Sequence, residues 1–339
     1  MESVSPNGCK APRSLTFNRM RAALRVFFGA LAIGLPAVGA SAQSPAPIRF
    51  IVPAAAGGAI DVYARIVSEP MAALMQRPIV IEVRAGANGN LAAQHVADSA
   101  ADGTIVLIGT QSLLEINPSS YKSLRWKPAD FIPVIKGIET LLALAVHPSM
   151  PVKTFEEWVA HVKANQGKLV YANYGPGTVS HFLGFQVAER FGLEYSQVPY
   201  RGSAPQMVDL LAGHVKFGFT QLQGLVEPAR AGLLQALVLS GNKRTPLLPQ
   251  LRTFQDIGQP DLAATPWFGL LLKVGTPRDA VERLEKAAIA AHTDQAVRKK
   301  LEEQGYIVSG ETGAPFRRSI AEQTERWAKI VKATGFSAD

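Results

Sequence analysis

The chain has a single cysteine, Cys9, in 339 residues. A disulfide framework is thereby excluded, as is any site built on several thiolates. Cys9 also precedes the first apolar run instead of following it, so it is not placed for lipidation. Long hydrophobic stretches are missing too: after residue 42 no segment approaches the roughly 18 consecutive apolar residues of a membrane helix. Charged residues are only 18% of the total, and half of the formal net charge of +8 falls in residues 1–42, where Lys10, Arg13, Arg19, Arg21 and Arg25 face only Glu2. Nucleic-acid binding needs a concentrated basic footprint, and none is present, so no nucleic-acid partner is expected. His95, His147, His161, His181, His214 and His292 stand singly, without a pair at helical spacing, so no metal is expected. There is no P-loop and no serine nucleophile elbow. The nearest approach to a dinucleotide fingerprint, Gly86-Ala87-Asn88-Gly89-Asn90-Leu91, lacks its second and third glycines. No cofactor is expected.

What is present is a globular composition, with 47% apolar residues, long enough for two domains. The N-terminus has the three parts of an export signal. Arg19, Arg21 and Arg25 form a basic region, residues 26–38 an uncharged apolar run, and Ala40-Ser41-Ala42 a small-residue cleavage site before Gln43. The apolar run is 13 residues long, short of the about 20 that span a bilayer. Residues 1–42 are therefore expected to be removed on export to the periplasm, taking Cys9 with them.

Beyond residue 46, short apolar runs alternate with amphipathic helical patterns, the mark of an α/β fold with largely parallel sheets. Strands are expected at 48–52, 78–83, 104–109, 131–138, 141–147, 168–172, 195–199, 214–219, 234–239 and 268–273. A helix after Gly57-Gly58 should bury Ile60, Tyr63, Ala64, Val67, Met71 and Leu74 on one face. Thr154 with Glu157 has capping-box spacing, and Pro277 opens a long helix. The pattern breaks into two series near residues 147–151.

Four segments share one design, a strand, a short glycine-containing loop and a helix start: residues 53–61, 84–90, 174–181 and 200–205. Glycine permits the turn, and a helix start presents unpaired N–H groups with partial positive charge. Any βα unit needs one such turn. Four of them, two in each series, suit an anion held between two lobes.

The same segments resemble those of a known family. Ile51-Val52-Pro53 with Gly57-Gly58 and Asp61, Arg84-Ala85-Gly86-Ala87-Asn88-Gly89-Asn90, Tyr171-Ala172, Gly175-Pro176-Gly177-Thr178 with His181, and Val198-Pro199-Tyr200-Arg201-Gly202 carry the resemblance. Asp209-Leu210-Leu211-Ala212-Gly213, Trp267-Phe268-Gly269-Leu270 and Gly275-Thr276-Pro277 extend it to nearly all of residues 47–331. The chain resembles the Bug family of periplasmic solute-binding proteins, receptors of tripartite tricarboxylate transporters. The resemblance implies a two-lobed, flytrap-like α/β fold (type II periplasmic binding protein), expected here with a mostly parallel sheet in each lobe. Lobe 1 would comprise residues 43–147 and 263–339, lobe 2 residues 148–262, with the ligand cleft between them. It further implies a small carboxylate ligand, membrane permease subunits as partners, a monomer and no catalysis. Departures from the family pattern fall inside the loops: Ala54 for an aromatic residue, Ile60 for a threonine, Asn173-Tyr174 for a serine-rich stretch, and Thr220-Gln221 for Asp-Asn. They suggest a roomier or more apolar pocket, suited to an aromatic or branched acid.

The expected ligand contacts are Ala55, Gly57 and Gly58 as backbone donors, with Gly89 and Asn90 beside them. From the second series come Gly177, Thr178 and His181, with Tyr200 and Arg201 at the rim. Asp61 reads better as a complement to its helix dipole, Arg84 equally as a surface ion-pair residue, Trp267 mainly as packing, and His181 equally as a capping residue. An exported hydrolase or isomerase on the same scaffold is the alternative from another class, although Ser180-His181 are adjacent and helix neighbours do not face each other. A ligand sensor is a third reading.

Overall fold

The computed structural model describes residues 46–338. The expected export signal, its cleavage point and Cys9 lie outside them. The chain begins with β1 (Ile48–Val52), α1 (Ala59–Met75), β2 (Ile79–Val83), α2 (Asn90–Asp98) and β3 (Ile105–Thr110). A π-helical turn (Ser112–Ile116) leads into the single turn α3 (Asn117–Ser120), followed by β4 (Phe131–Thr140) and β5 (Leu142–Val146). Next come α4 (Phe155–Ala164), β6 (Val170–Asn173), α5 (Val179–Phe191), β7 (Ser196–Pro199) and α6 (Ser203–Leu211). These are followed by β8 (Phe217–Gln221), α7 (Leu222–Arg230) and β9 (Gln235–Leu239). The last part holds β10 (Trp267–Lys273), α8 (Arg278–Thr293), α9 (Gln295–Glu303), β11 (Tyr306–Thr312) and α10 (Gly313–Thr334).

Two sheets result, a six-stranded one in the order β11-β4-β10-β3-β1-β2 and a five-stranded one in the order β7-β6-β8-β5-β9. Both are covered on both faces, which is why their inner strands read as apolar runs and not as alternation. In β1, Ile48, Phe50 and Val52 enter one core with α1 and α8, while Ile51 enters another with α2 and the start of α10. In β5, Leu142, Leu144 and Val146 face α4 and α5, while Ala143 and Ala145 face α6 and α7. The helix α1 buries Ala59, Tyr63, Ala64, Val67 and Met71 as its spacing requires, but leaves the expected Leu74 exposed at its last turn. Thr154 caps α4 by accepting the Glu157 N–H at 3.1 Å, and Glu157 reaches back to the N–H of Lys153, one residue before the cap.

The sheets are mixed, not mostly parallel. Parallel pairing is confined to the βαβ units, β1 with β2 and β3, and β6 with β7 and β8. β10 runs antiparallel to β3 and β4, and β5 antiparallel to β8 and β9. The cause is the pair of crossings: β4 carries the chain out of the first sheet and β10 brings it back, so they run in opposite directions. The first crossing also lies before the expected break at His147, since β5 already belongs to the second sheet. Only Leu141 separates β4 from β5. At this crossing the Thr140 N–H donates to the Pro266 carbonyl at 2.7 Å. The Ser240 hydroxyl accepts the Leu142 N–H at 2.9 Å and donates to the Ala264 carbonyl at 2.7 Å, tying the outgoing segment to the returning one. The end of α10 does not stay with the first sheet: Trp327 and Val331 are buried in the core of the second.

Candidate binding cleft

The four glycine-containing loops all converge on one cavity of about 310 Å³, walled by residues of both sheets' loops. They meet in pairs. A Cβ on Gly58 would stand 3.2 Å from the Ser203 hydroxyl oxygen, and one on Gly202 would stand 3.5 Å from the Ala55 nitrogen. A Cβ on Gly175 or Gly177 would lie 3.7 or 3.6 Å from the Asn88 side chain.

Three of the four helix starts carry no side-chain cap: Gly58 before α1, Gly89 before α2 and Gly202 before α6. First-turn N–H groups have no partner inside their own helix, so an anion in the cavity can complete them. Ala59 and Ile60 of α1 and Ser203 of α6 line the wall and bring such amides to it. The fourth start is closed. Thr178 Oγ1 donates to the Gly175 carbonyl at 2.6 Å and accepts the His181 N–H at 3.3 Å.

Of the expected contacts, Gly58, Gly89, Thr178, Tyr200 and Arg201 line the cavity, and Ala55, Gly57, Asn90, Gly177 and His181 do not. Local hydrogen bonding accounts for most of the second group. The Gly57 N–H is donated to Asp61 Oδ2 at 2.9 Å, and Asp61 also accepts Arg65 Nε, so the buried carboxylate shapes the loop. The Asn90 carboxamide oxygen accepts from Asn117, the buried organiser of the second loop, which also donates to the Asn88 carbonyl and accepts from the Asn88 side chain. That loop holds Ala87 and Asn88 at positive φ, a strained conformation for side-chain-bearing residues. The Gly177 N–H goes to His181 Nδ1 at 3.1 Å. The His181 ring packs edge-on against Phe185 and Phe336, and burial lowers its pKa to about 4, leaving it a neutral acceptor at ordinary pH. Tyr200 lines the cavity while its hydroxyl donates to Asp209 at 2.7 Å; burial and that carboxylate raise its pKa. Arg84 is an exposed partner of Glu82.

Sequence reasoning passed over the polar residues at the end of β3 and just after it. Thr110, Gln111 and Ser112 line the cavity, as do Asn88, Gln221 and Ser203. The signal available was a run of polar residues directly after a fully buried strand. The apolar wall is formed by Ile60, Pro53, Pro266, Trp267 and Phe268. Arg201 is the one formally charged residue of the wall, and it has no ion-pair partner among the described residues. No group of three or more His, Cys, Asp or Glu placed to share a metal occurs among them either.

Residues 63–336 match the family described as "Tripartite tricarboxylate transporter family receptor". The protein BugT of Bordetella pertussis is 30% identical over 323 residues, covering 95% of this chain and 99% of its own. Among solved structures, a Rhodopseudomonas palustris protein with adipate superposes with a TM-score of 0.83 at 29% identity, over 86% of this chain and 98% of that one. MatC of Rhodopseudomonas palustris with bound malate gives 0.79 at 29% identity, over 84% and 98%.

Proposed function

Because the chain belongs to the tripartite tricarboxylate transporter receptor family, we propose that its cleft captures one small acid by its carboxylate and delivers it unchanged to membrane permease subunits. The observation that carries this reading is the convergence of two uncapped helix starts, at Gly58 and Gly202, and of the turn that ends at Gly89, on one cavity with a single formal charge. Fixed amides and partial dipole charges hold an anion without a full countercharge. Neutral side chains at Asn88, Gln111, Ser112 and Ser203 supply further hydrogen bonds. The adipate and malate bound by the two Rhodopseudomonas palustris proteins support a carboxylate. The wall holds no histidine and no carboxylate to activate its serines, which supports binding without turnover.

In this reading the lobes divide where the sheets do, at Leu141 and between β9 and β10, and hinge about the Ser240 tie. Ligand shifts the population toward the closed arrangement. The receptor works as a periplasmic monomer after loss of residues 1–42, and no helix among the described residues is long and apolar enough to cross a membrane. Titration calorimetry of purified mature protein against a panel of mono-, di- and tricarboxylic acids tests the proposal. One acid should bind at one per chain and be recovered intact. Failure of every acid to bind, or conversion of a bound acid, would overturn it. Intact mass of the periplasmic protein should place the N-terminus at or near Gln43.

A further inference from the structure

Behind the cavity wall lies a buried acid that neither packing nor the carboxylate grip explains. Glu115 is fully enclosed in the π-helical turn that follows the cavity-lining residues Thr110, Gln111 and Ser112. Its Oε1 accepts the indole N–H of Trp267 at 2.7 Å. Its Oε2 is buried with no hydrogen-bond partner. Trp267 is itself part of the cavity wall, packs edge-on against Phe316 with ring centroids 5.0 Å apart, and follows directly on Pro266 at the hinge.

The consequence is chemical. An indole has one donor and no acceptor. Glu115 draws that donor away from the cavity, so Trp267 presents carbon alone. A carboxylate placed against the indole would lose water there and gain no hydrogen bond from the ring in return, and would stand near a second carboxyl. An apolar group there has neither cost.

We propose that Glu115 is a positioning residue that sets ligand class: by holding the Trp267 indole from behind, it makes this part of the wall accept the apolar end of a monocarboxylic acid and reject a second carboxylate. The inference rests on the carboxylate-receptor reading and refines it. Burial pushes the Glu115 pKa up to about 8, against the hydrogen bond from Trp267, the nearby Gln111 side chain and the charges of Lys136 and Arg326. The charged groups facing it are Lys136 from β4, which is paired with Glu139 and Glu311, and Arg326 from α10, stacked over the Trp327 ring. The residues of β3, residues 87–89 and α3, which also pack on the turn, include no titratable group. Near neutral pH the carboxyl is thus mainly uncharged; above pH 8 it ionises and adds repulsion to the rejection.

Hexanoate and adipate differ only in the second carboxylate and are the probes. Their affinities are measured by calorimetry from pH 6 to 9 for wild type, Glu115→Leu and Glu115→Gln. Wild type should favour hexanoate by about tenfold or more at pH 7, and adipate should weaken further, by about threefold, between pH 7 and 9. Glu115→Gln keeps an acceptor for the indole, so it should retain the preference and lose the pH trend. Glu115→Leu frees the indole N–H and should narrow the ratio about fivefold. If Glu115→Leu fails to fold, the pH comparison of wild type with Glu115→Gln decides. Adipate bound as tightly as hexanoate by wild type, an unchanged ratio in a folded Glu115→Leu, or an unchanged pH trend in Glu115→Gln overturns the assignment. Failure of both probes overturns it as well, whereas only failure of the whole acid panel removes the receptor reading beneath it.

Discussion

The loops at residues 57–61 and 175–181 look alike in sequence, each with glycines ahead of a helix, yet they put their polar groups to opposite uses. Ahead of α1 there is no side-chain cap, and Ala59 and Ile60 bring first-turn amides to the cavity. Ahead of α5, Thr178 caps the helix and His181 takes the Gly177 N–H. The difference separates gripping from shaping. Both loops satisfy a glycine N–H through the side chain four residues on, Asp61 or His181, but only the second also caps its helix; in the proposed grip the first-turn amides of α1 are left for the ligand. This division can be broken or sharpened by substitution.

The largest effect is expected at Gly58. Its φ of −77° suits any residue, so a substitution there is not penalised by backbone strain. A Cβ would nevertheless stand 3.2 Å from the Ser203 oxygen, on a loop of the second sheet, and 3.3 Å from the Ala55 carbonyl of its own loop. Gly58→Val should therefore reduce ligand affinity by about a thousandfold or more, roughly 4 kcal/mol, with an unchanged melting midpoint. Retained affinity would show that these loops need not meet for binding. Gly177→Val is a poorer test, because Gly177 has a φ of +72° and a valine there is strained whatever the ligand does.

Next in size is a pH effect confined to the shaping side. Burial lowers the His181 pKa from 6.5 to about 4, so the unfolded chain binds more protons in that interval and stability falls as pH drops through it, by about 3 kcal/mol for this group. Burial lowers the His292 pKa in the same direction, so the wild-type protein should lose stability in acid through both. His181→Asn, which keeps a hydrogen-bond acceptor, should flatten part of the decline in denaturation midpoint between pH 6.5 and 4. An unaltered slope would mean that the His181 ring is not held neutral by the fold. Glu115 has the opposite sign: a raised pKa means stability is lost as pH rises through about 8.

A smaller effect distinguishes cap from grip at Thr178. Its hydroxyl is engaged with Gly175 and His181, so Thr178→Val should cost about 1 kcal/mol of stability, the usual value of an N-cap. Affinity should change by less than about threefold once folding is complete. A loss of affinity larger than the loss of stability would return the hydroxyl to the ligand.

What the sequence made legible follows from the same physics. Apolar runs and helical periods revealed most strands and helices because both faces of each sheet are covered. β11 was missed because Tyr306–Thr312 is a polar edge strand interrupted by Gly310 at positive φ, with a register shift against β4 at that point. The turn at 112–116 was missed because a π-helical turn has no apolar period of its own. At the site, glycine spacing located all four loops, since turn geometry is written locally. Which amide remains free was not legible, because Asp61, Asn117 and His181 settle it through contacts that no spacing rule encodes.

The smallest effect is expected at Arg201, the one formally charged residue of the wall. It is exposed, it stands directly before Gly202 in the loop between β7 and α6, and it has no ion-pair partner among the described residues. Two grips predict different outcomes for Arg201→Ala. A guanidinium clamp on a desolvated carboxylate would be bidentate, and its removal would cost more than a hundredfold in affinity. A grip by helix-start amides leaves Arg201 in a solvated position, where a charge–charge contact contributes up to about 1 kcal/mol and is screened by salt. The second outcome is expected, a loss of about fivefold or less that shrinks further between low and physiological ionic strength. Calorimetry of wild type and Arg201→Ala at two salt concentrations reads both quantities. A large loss that salt does not diminish would move the centre of the grip from the first lobe to the second, and the contrast between the loops would then have to be drawn the other way round.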